Sequence, residues 1–251
     1  MWRQIFLNAR DKLLQHDYQE TFRSLLWAII VALIVRTLVF EPFSIPSSSM
    51  YPGLKVGDYL ITTKYTYGYS RHSLPFSPPV FSGRVWGSTP NRGDVVIFKG
   101  ARDPQQFYIK RVIGLPGDIV QLKQGVVHVN HKALKRNQAE HIEMHIDGGY
   151  RAFDLYLEEA QNNKQYEVIQ EMNTDVTVFP NSTYEYLVPP GYLFLLGDNR
   201  NNSADSRFEQ HMGMIPLENV VSKVRFIAWP GDFSLAALMH GDRGRIFRTV
   251  E

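Results

Sequence analysis

Two residues of this 251-residue chain, Ser49 and Lys110, have the types that nucleophilic chemistry requires. Ser49 stands in Ile45-Pro46-Ser47-Ser48-Ser49-Met50-Tyr51-Pro52, and Lys110 in Tyr108-Ile109-Lys110-Arg111-Val112-Ile113-Gly114-Leu115-Pro116-Gly117-Asp118. A serine hydroxyl is a weak nucleophile that needs a base beside it. Lysine ordinarily titrates near about 10.4, too high for that task at neutral pH. Burial opposes its charged form and can bring it to roughly 7–8, where it accepts a proton. Val112, Ile113, Leu115 and the strand-like stretch around Ile109 can supply the apolar wall. A third stretch, Gly197-Asp198-Asn199-Arg200-Asn201-Asn202-Ser203-Ala204-Asp205-Ser206-Arg207, follows a strongly apolar run. Taken singly, each has a plain reading: a Ser-rich linker, an exposed strand lysine, and an Asn/Asp/Gly-rich turn. Composition alone does not choose among the three adjacent serines.

Together and in this order, the three stretches resemble bacterial type I signal peptidase, the membrane-bound Ser-Lys protease that removes signal peptides. The resemblance runs from about Arg23 to Trp229. It implies that Ser49, immediately before Met50, is the nucleophile and that Lys110 is the general base. It further implies that the Ser47 hydroxyl joins the Ser49 N–H in the oxyanion hole and that Ser203 orients the lysine. Gly197 and Asp198 then form the turn that brings the loop beside the base, with Asp205 and Arg207 bracing the site. Strand alternation turns Arg111 away from Lys110, and Asp205 is the carboxylate assigned to it. No cofactor or metal is implied.

An extended substrate would bind by strand addition, flanked by Phe43-Ser44-Ile45-Pro46 and Phe107-Tyr108-Ile109. Pockets lined by Ile45, Pro46, Met50, Leu54, Leu60, Ile97, Tyr108 and Ile109 would select small side chains at the first and third positions before the cut. Phe107 departs from the polar residue that Gram-negative members tend to carry.

These groups need an anchor and a scaffold. Ser24 to Phe40 is apolar except at Arg36 and lies near the lower limit of about 17 residues for a spanning helix; Arg36 can snorkel to the headgroups. No small-x-small cleavage site follows, which disfavours a cleaved signal peptide; a buried soluble helix is the remaining alternative. Arg3, Arg10, Lys12 and Arg23 precede the segment and place the N-terminus in the cytoplasm. The expected organisation is a cytoplasmic amphipathic helix over 1–23, a single transmembrane helix over 24–40, and a catalytic domain across the bacterial inner membrane.

After Pro42 the pattern is β. Strands are expected over Tyr59–Tyr65, Val95–Lys99, Phe107–Gly114, Ile119–Leu122, Val126–Val129, Tyr192–Leu196 and Val220–Trp229. Residues 68–92 read as a long loop whose Phe76, Phe81 and Trp86 either enter the membrane or pack within the loop. The polar stretch 130–185 reads as an inserted subdomain with weak strands near Glu167–Gln170 and Asp175–Phe179. It divides the catalytic core into 41–129 and 186–230. Residues 231–251 read as a tail with a helix over Leu235–Met239. The fold class implied is mainly β, with antiparallel sheets of the kind shared by signal peptidases and the self-cleaving SOS repressors.

A net charge of +2 is too slight to argue for nucleic acid, and no nucleic-acid partner is expected. The basic stretches Lys132–Arg136 and Arg243–Arg248 read as solvated surface. The absence of cysteine excludes disulfides, a thiol nucleophile and thiolate metal sites. His141-Ile142-Glu143-Met144-His145 has the i, i+4 histidines of a zinc helix, but Ile142 stands where a metalloprotease needs Glu. Signal-peptide-bearing preproteins and membrane lipid are the partners implied. Two rival functions remain: a peptide-binding scaffold without catalysis, and a self-cleaving Ser-Lys protease, which would need a helix-turn-helix domain where the apolar segment stands.

Overall fold

The apolar run near the N-terminus belongs to one long helix, α1 (Trp2–Leu38), in a computed structural model that describes residues 2–146, 149–160, 164–231 and 245–250. The two helices expected over 1–23 and 24–40 are therefore one continuous element. Within it Tyr18–Leu38, 21 residues of mean hydropathy 1.7, is long and apolar enough to cross a membrane; at 1.5 Å per residue it rises about 31 Å, the thickness of a hydrocarbon core. Its apolar side chains, Leu25, Trp27 and Leu33 among them, are exposed. The helix stops before Pro42, as the residue preceding a proline is steered to extended geometry. Residues 1–40 and 41–251 form two units.

Among the described residues the second unit holds three sheets. Its strands in chain order are β1 (Phe40–Ser44), β2 (Tyr59–Thr63), β3 (Val95–Lys99), β4 (Phe107–Gly114), β5 (Ile119–Lys123), β6 (Val126–Val129) and β7 (Lys132–Ala133). Then come β8 (Lys135–Ile146), β9 (Gly149–Glu159), β10 (Gln165–Glu171), β11 (Tyr186–Leu187), β12 (Tyr192–Leu196), β13 (Ile215–Pro216) and β14 (Val220–Trp229). The principal sheet runs β1-β2-β14-β3-β4-β12-β13, a smaller one β11-β5-β6-β7, and a third β10-β9-β8. Pairings through the centre of the principal sheet are antiparallel. β3 is Val-Val-Ile-Phe-Lys and is buried along its whole length, as a continuous apolar run between covered faces should be.

The polar stretch holds more regular structure than expected. β7 still pairs with β6, and Leu134 packs with Val127 and Val129, so the core extends to residue 134. β8 and β9 form a long hairpin that the polar pattern concealed, and β10 includes the expected Glu167–Gln170. Asp175–Phe179 is turn rather than strand: the Asp175 carboxylate accepts from the backbone N–H and hydroxyl of Thr177, a local bond that competes with a ladder. The histidine pair falls on strand β8, not on a helix, and His141 pairs with Asp154 of β9.

In the loop 68–92, Phe76 and Trp86 are exposed. Arg84 pins the loop by donating to the carbonyls of Tyr67, Gly68, Leu217 and Val220. The expected helix over Leu235–Met239 lies outside the described residues. Arg245 is not solvated surface: it is buried against Asp58 as an ion pair.

Candidate active site

β4 sets the depth of the site. Its first three residues, Phe107–Ile109, are partly or fully open, whereas Lys110 through Gly114 are buried. Lys110 is thus the first residue of the strand to enter the interior, at 4% exposure. Opposite it on β3 stands Val96, and Leu196, the last residue of β12, lies opposite Arg111. The chain therefore leaves the sheet level with Lys110 and Arg111, and the loop 197–207 begins beside them.

Ser49 reaches the same place from the other end of the chain. It sits in a single 3₁₀ turn, Ser48–Met50, whose Met50 is 1% exposed and packs with Ile45, Leu54, Leu60, Val95 and Ile97. Burying a methionine contributes roughly 1.5–3 kcal/mol and fixes the turn from below. The loop fixes it from the side. Asn199 N–H donates to the Ser49 carbonyl at 3.1 Å, Asn199 Nδ2 to the Ser48 carbonyl at 3.3 Å, and Asn202 Nδ2 to Ser48 Oγ at 3.0 Å. These asparagines escaped the sequence reading, which had only the Asn-rich composition of the loop as a signal.

Between these supports Lys110 Nζ lies 2.6 Å from Ser49 Oγ and 3.1 Å from the Ile109 carbonyl. Burial pushes the lysine from its ordinary 10.5 down to about 8; the carboxylates of Asp205 and Asp198 oppose the shift and Arg207 assists it. Desolvation prevails, leaving an appreciable neutral fraction at neutral pH. Ser47 Oγ is 3.4 Å from Ser49 Oγ, close enough for both to approach one carbonyl group.

The loop's ion pairs differ from expectation. Arg111 is paired with Asp198, not Asp205: Nε donates to Oδ1 at 2.8 Å and Nη2 to Oδ2 at 2.7 Å, while Nη1 donates to the Gly93 carbonyl at 2.7 Å. Asp198 comes two residues after the strand partner of Arg111, and so faces β4. Asp205 folds back onto Arg207, accepting from Nε and Nη2 at 2.8 Å each, and it also accepts from Gly197 N–H at 3.1 Å. Its pKa is held below the usual carboxylate value: burial would raise it, but the Arg207 charge and the hydrogen bonds outweigh that. Ser203 is buried, yet forms no hydrogen bond with Lys110 Nζ; its hydroxyl fills the space that a β-carbon on Gly197 would occupy.

A groove of about 650 Å³ leads to the Ser49–Lys110 contact. Phe43, Ile45, Pro46, Met50, Tyr108 and Ile109 line it together with Ser47, Phe107, Asn202 and Ala204. Leu54, Leu60 and Ile97 do not. Each is at most 1% exposed and lies one layer deeper, supporting Ile45 and Met50 from within the core. Phe43 and Phe107 face each other edge-on across one side of the groove, their centroids 5.2 Å apart. Lys99 Nζ sits 4.9 Å from the Phe107 ring.

The profile described as "Signal peptidase, peptidase S26" matches residues 18–229. A protein named Signal peptidase I from Rickettsia typhi is 37% identical over 215 residues, covering 83% of this chain and 79% of that protein. Its namesakes from Rickettsia canadensis and Rickettsia akari are 36% and 37% identical over 222 and 203 residues, covering 83% and 80% of this chain and 78% and 76% of theirs. A crystal structure of a signal peptidase I from Enterococcus faecalis is 23% identical, covers 54% of this chain and 97% of its own, and superposes with a TM-score of only 0.31.

Proposed function

The chain belongs to the signal peptidase family, peptidase S26, and from that footing we propose that it removes signal peptides from exported preproteins with Ser49 as nucleophile and Lys110 as general base. The observation that carries this reading is the 2.6 Å contact between Lys110 Nζ and Ser49 Oγ, with the lysine buried enough to bring its pKa down to about 8. Neutral Lys110 accepts the hydroxyl proton as Ser49 Oγ attacks the scissile carbonyl carbon. The developing oxyanion is met by the Ser49 N–H and the Ser47 hydroxyl. Collapse of the tetrahedral intermediate breaks the C–N bond, and Lys110 returns its proton to the leaving amine. Water, deprotonated by the same lysine, then cleaves the acyl ester and restores Ser49.

The substrate's extended segment lies along β1 and the open start of β4, where the groove leaves backbone edges accessible. Ile45, Met50 and Tyr108 line the groove with Ser49, and this apolar wall receives small side chains before the cut. The Tyr18–Leu38 segment of α1 spans the lipid bilayer of the bacterial inner membrane, N-terminus in the cytoplasm, with residues 41–251 on the far side. Incubation of the full chain with a preprotein tests the reading. Wild type should yield mature protein cut after a small residue, and Ser49→Ala should yield none; cleavage by Ser49→Ala at the wild-type rate would overturn it.

A further inference from the structure

Behind the dyad runs a set of buried charges that joins the three-stranded sheet to the loop. Glu158 on β9 and Tyr166 on β10 stand directly opposite each other across the pair. The Glu158 carboxylate is fully buried and accepts three hydrogen bonds: from Arg200 Nη2 at 2.6 Å, from Arg200 Nη1 at 3.0 Å, and from Tyr166 Oη at 2.8 Å. Arg200 belongs to the loop that holds the Ser49 turn. The Tyr166 ring lies under the Arg111 guanidinium at 3.9 Å, and Arg111 in turn grips Asp198. The backbone repeats the linkage: Ile169 N–H donates to the Asp198 carbonyl at 2.9 Å, and Arg200 N–H to the Ile169 carbonyl at 3.0 Å.

We infer that Glu158 and Tyr166 are positioning residues for cleavage, acting through Arg200 and Arg111 to hold the 197–207 loop, and hence Ser49 and the charges around Lys110, in register. This rests on the reading of Ser49 and Lys110 given above. The physical case is one of charge and geometry. Burying a guanidinium and a carboxylate is costly, and a pair of apolar side chains would usually stabilise the same space at least as well. What the charged pair supplies is a fixed, bidentate geometry. That geometry is placed on the segment whose Asn199 holds the Ser49 carbonyl. The charged groups facing Lys110 are Asp198, Asp205 and Arg207 from the same loop, with Arg111 next on β4, while Val96 faces it from β3. A small displacement of the loop therefore changes both the Ser49–Lys110 distance and the field at Lys110.

The test uses the full chain in lipid vesicles with a preprotein substrate, and three variants whose folding is followed by thermal melting. Glu158→Gln keeps the shape but leaves the Arg200 cation uncompensated. It should lower kcat by about tenfold or more, with KM within about twofold, and move the midpoint of the pH–rate profile downward, because an extra positive charge disfavours protonated Lys110. Tyr166→Leu, which removes the ring under Arg111, should lower kcat similarly. Tyr166→Phe keeps the ring and should lose much less. If Glu158→Gln does not fold, the contrast between Tyr166→Leu and Tyr166→Phe decides. Folded Glu158→Gln or Tyr166→Leu with wild-type kcat and midpoint, or with a loss confined to KM, would overturn the inference. Lys110→Arg in the same assay separates the two readings: if it is inactive while Glu158→Gln is unaffected, only the positioning role fails; if it is active, the dyad itself fails.

Discussion

The backbone of Gly197 passes directly against the carbonyl of Ser49, so that a β-carbon on the glycine would lie 2.6 Å from that oxygen and 2.2 Å from Ser203 Oγ. The glycine is required here by close approach rather than by an unusual dihedral angle. Gly197→Ala must push the Ser48–Met50 turn and the loop apart. Displacements of about 1 Å in a reacting pair cost on the order of a hundredfold in rate. The expected result is a loss of that size in kcat/KM with a cooperative melt retained, read by steady-state cleavage and circular dichroism.

Lys110 gives two pH signatures of the same sign in adjacent windows. Cleavage should rise about tenfold per pH unit and level off above about 8, as the lysine loses its proton. Lys110→Arg should be inactive, because guanidinium stays protonated. For stability the sign is reversed from that of a paired lysine. The folded-state pKa lies below the ordinary 10.5, so between about 8 and 10.5 the unfolded chain binds more protons and stability rises with pH. Below about 8 the whole cost remains, about 3 kcal/mol. Lys110→Met should therefore melt above wild type at neutral pH and lose that advantage as the pH approaches 10.5.

Neighbouring serines should separate cleanly. Ser49→Ala removes the only hydroxyl within hydrogen-bond distance of Lys110 Nζ among the described residues. Ser48→Ala removes only the acceptor of Asn202 Nδ2, a bond with a net contribution of about 1 kcal/mol. Ser48→Ala should keep a measurable rate, and Ser49→Ala none; equal losses in a mass-spectrometric cleavage assay would reassign the nucleophile.

Arg111→Ala leaves the Asp198 carboxylate buried without its cation. A destabilisation of about 3–5 kcal/mol is expected, together with lowered rather than abolished activity, since Arg111 touches neither Ser49 nor the groove. Arg111→Lys, lacking the planar fork, should recover part of the stability. Denaturant unfolding and initial rates measure the two effects separately.

Much of the sheet was legible from its apolar runs. β3 opens after Gly93-Asp94 and ends on Lys99, β4 ends on Gly114, and β6 opens after Gly125. The β8–β9 hairpin was not, because β8 opens on the polar run Lys135–Glu140 and its alternation is confined to the end, where Ile142 and Met144 pack on Phe153 and Ile169. At the site, the serine, the lysine and the loop were found by motif. Motif order does not say which of two acidic residues in one loop turns toward a given arginine; that follows from the register of β12 against β4, a three-dimensional fact. The same holds for Leu54, Leu60 and Ile97, whose apolar character suits a pocket wall and the layer beneath it equally well.

The strand order also bears on the chain's history during synthesis. β14, the last strand among the described residues, lies between β2 and β3 in the principal sheet, and Ser48 is held by Asn199, 151 residues further on. A nascent chain can complete neither the sheet nor the serine turn until its final third has emerged. Until then β2 and β3 both lack the strand that pairs with them in the finished sheet, and contacts this distant in sequence form late. The contact between Ser49 and Lys110 therefore lacks its holding loop through most of translation.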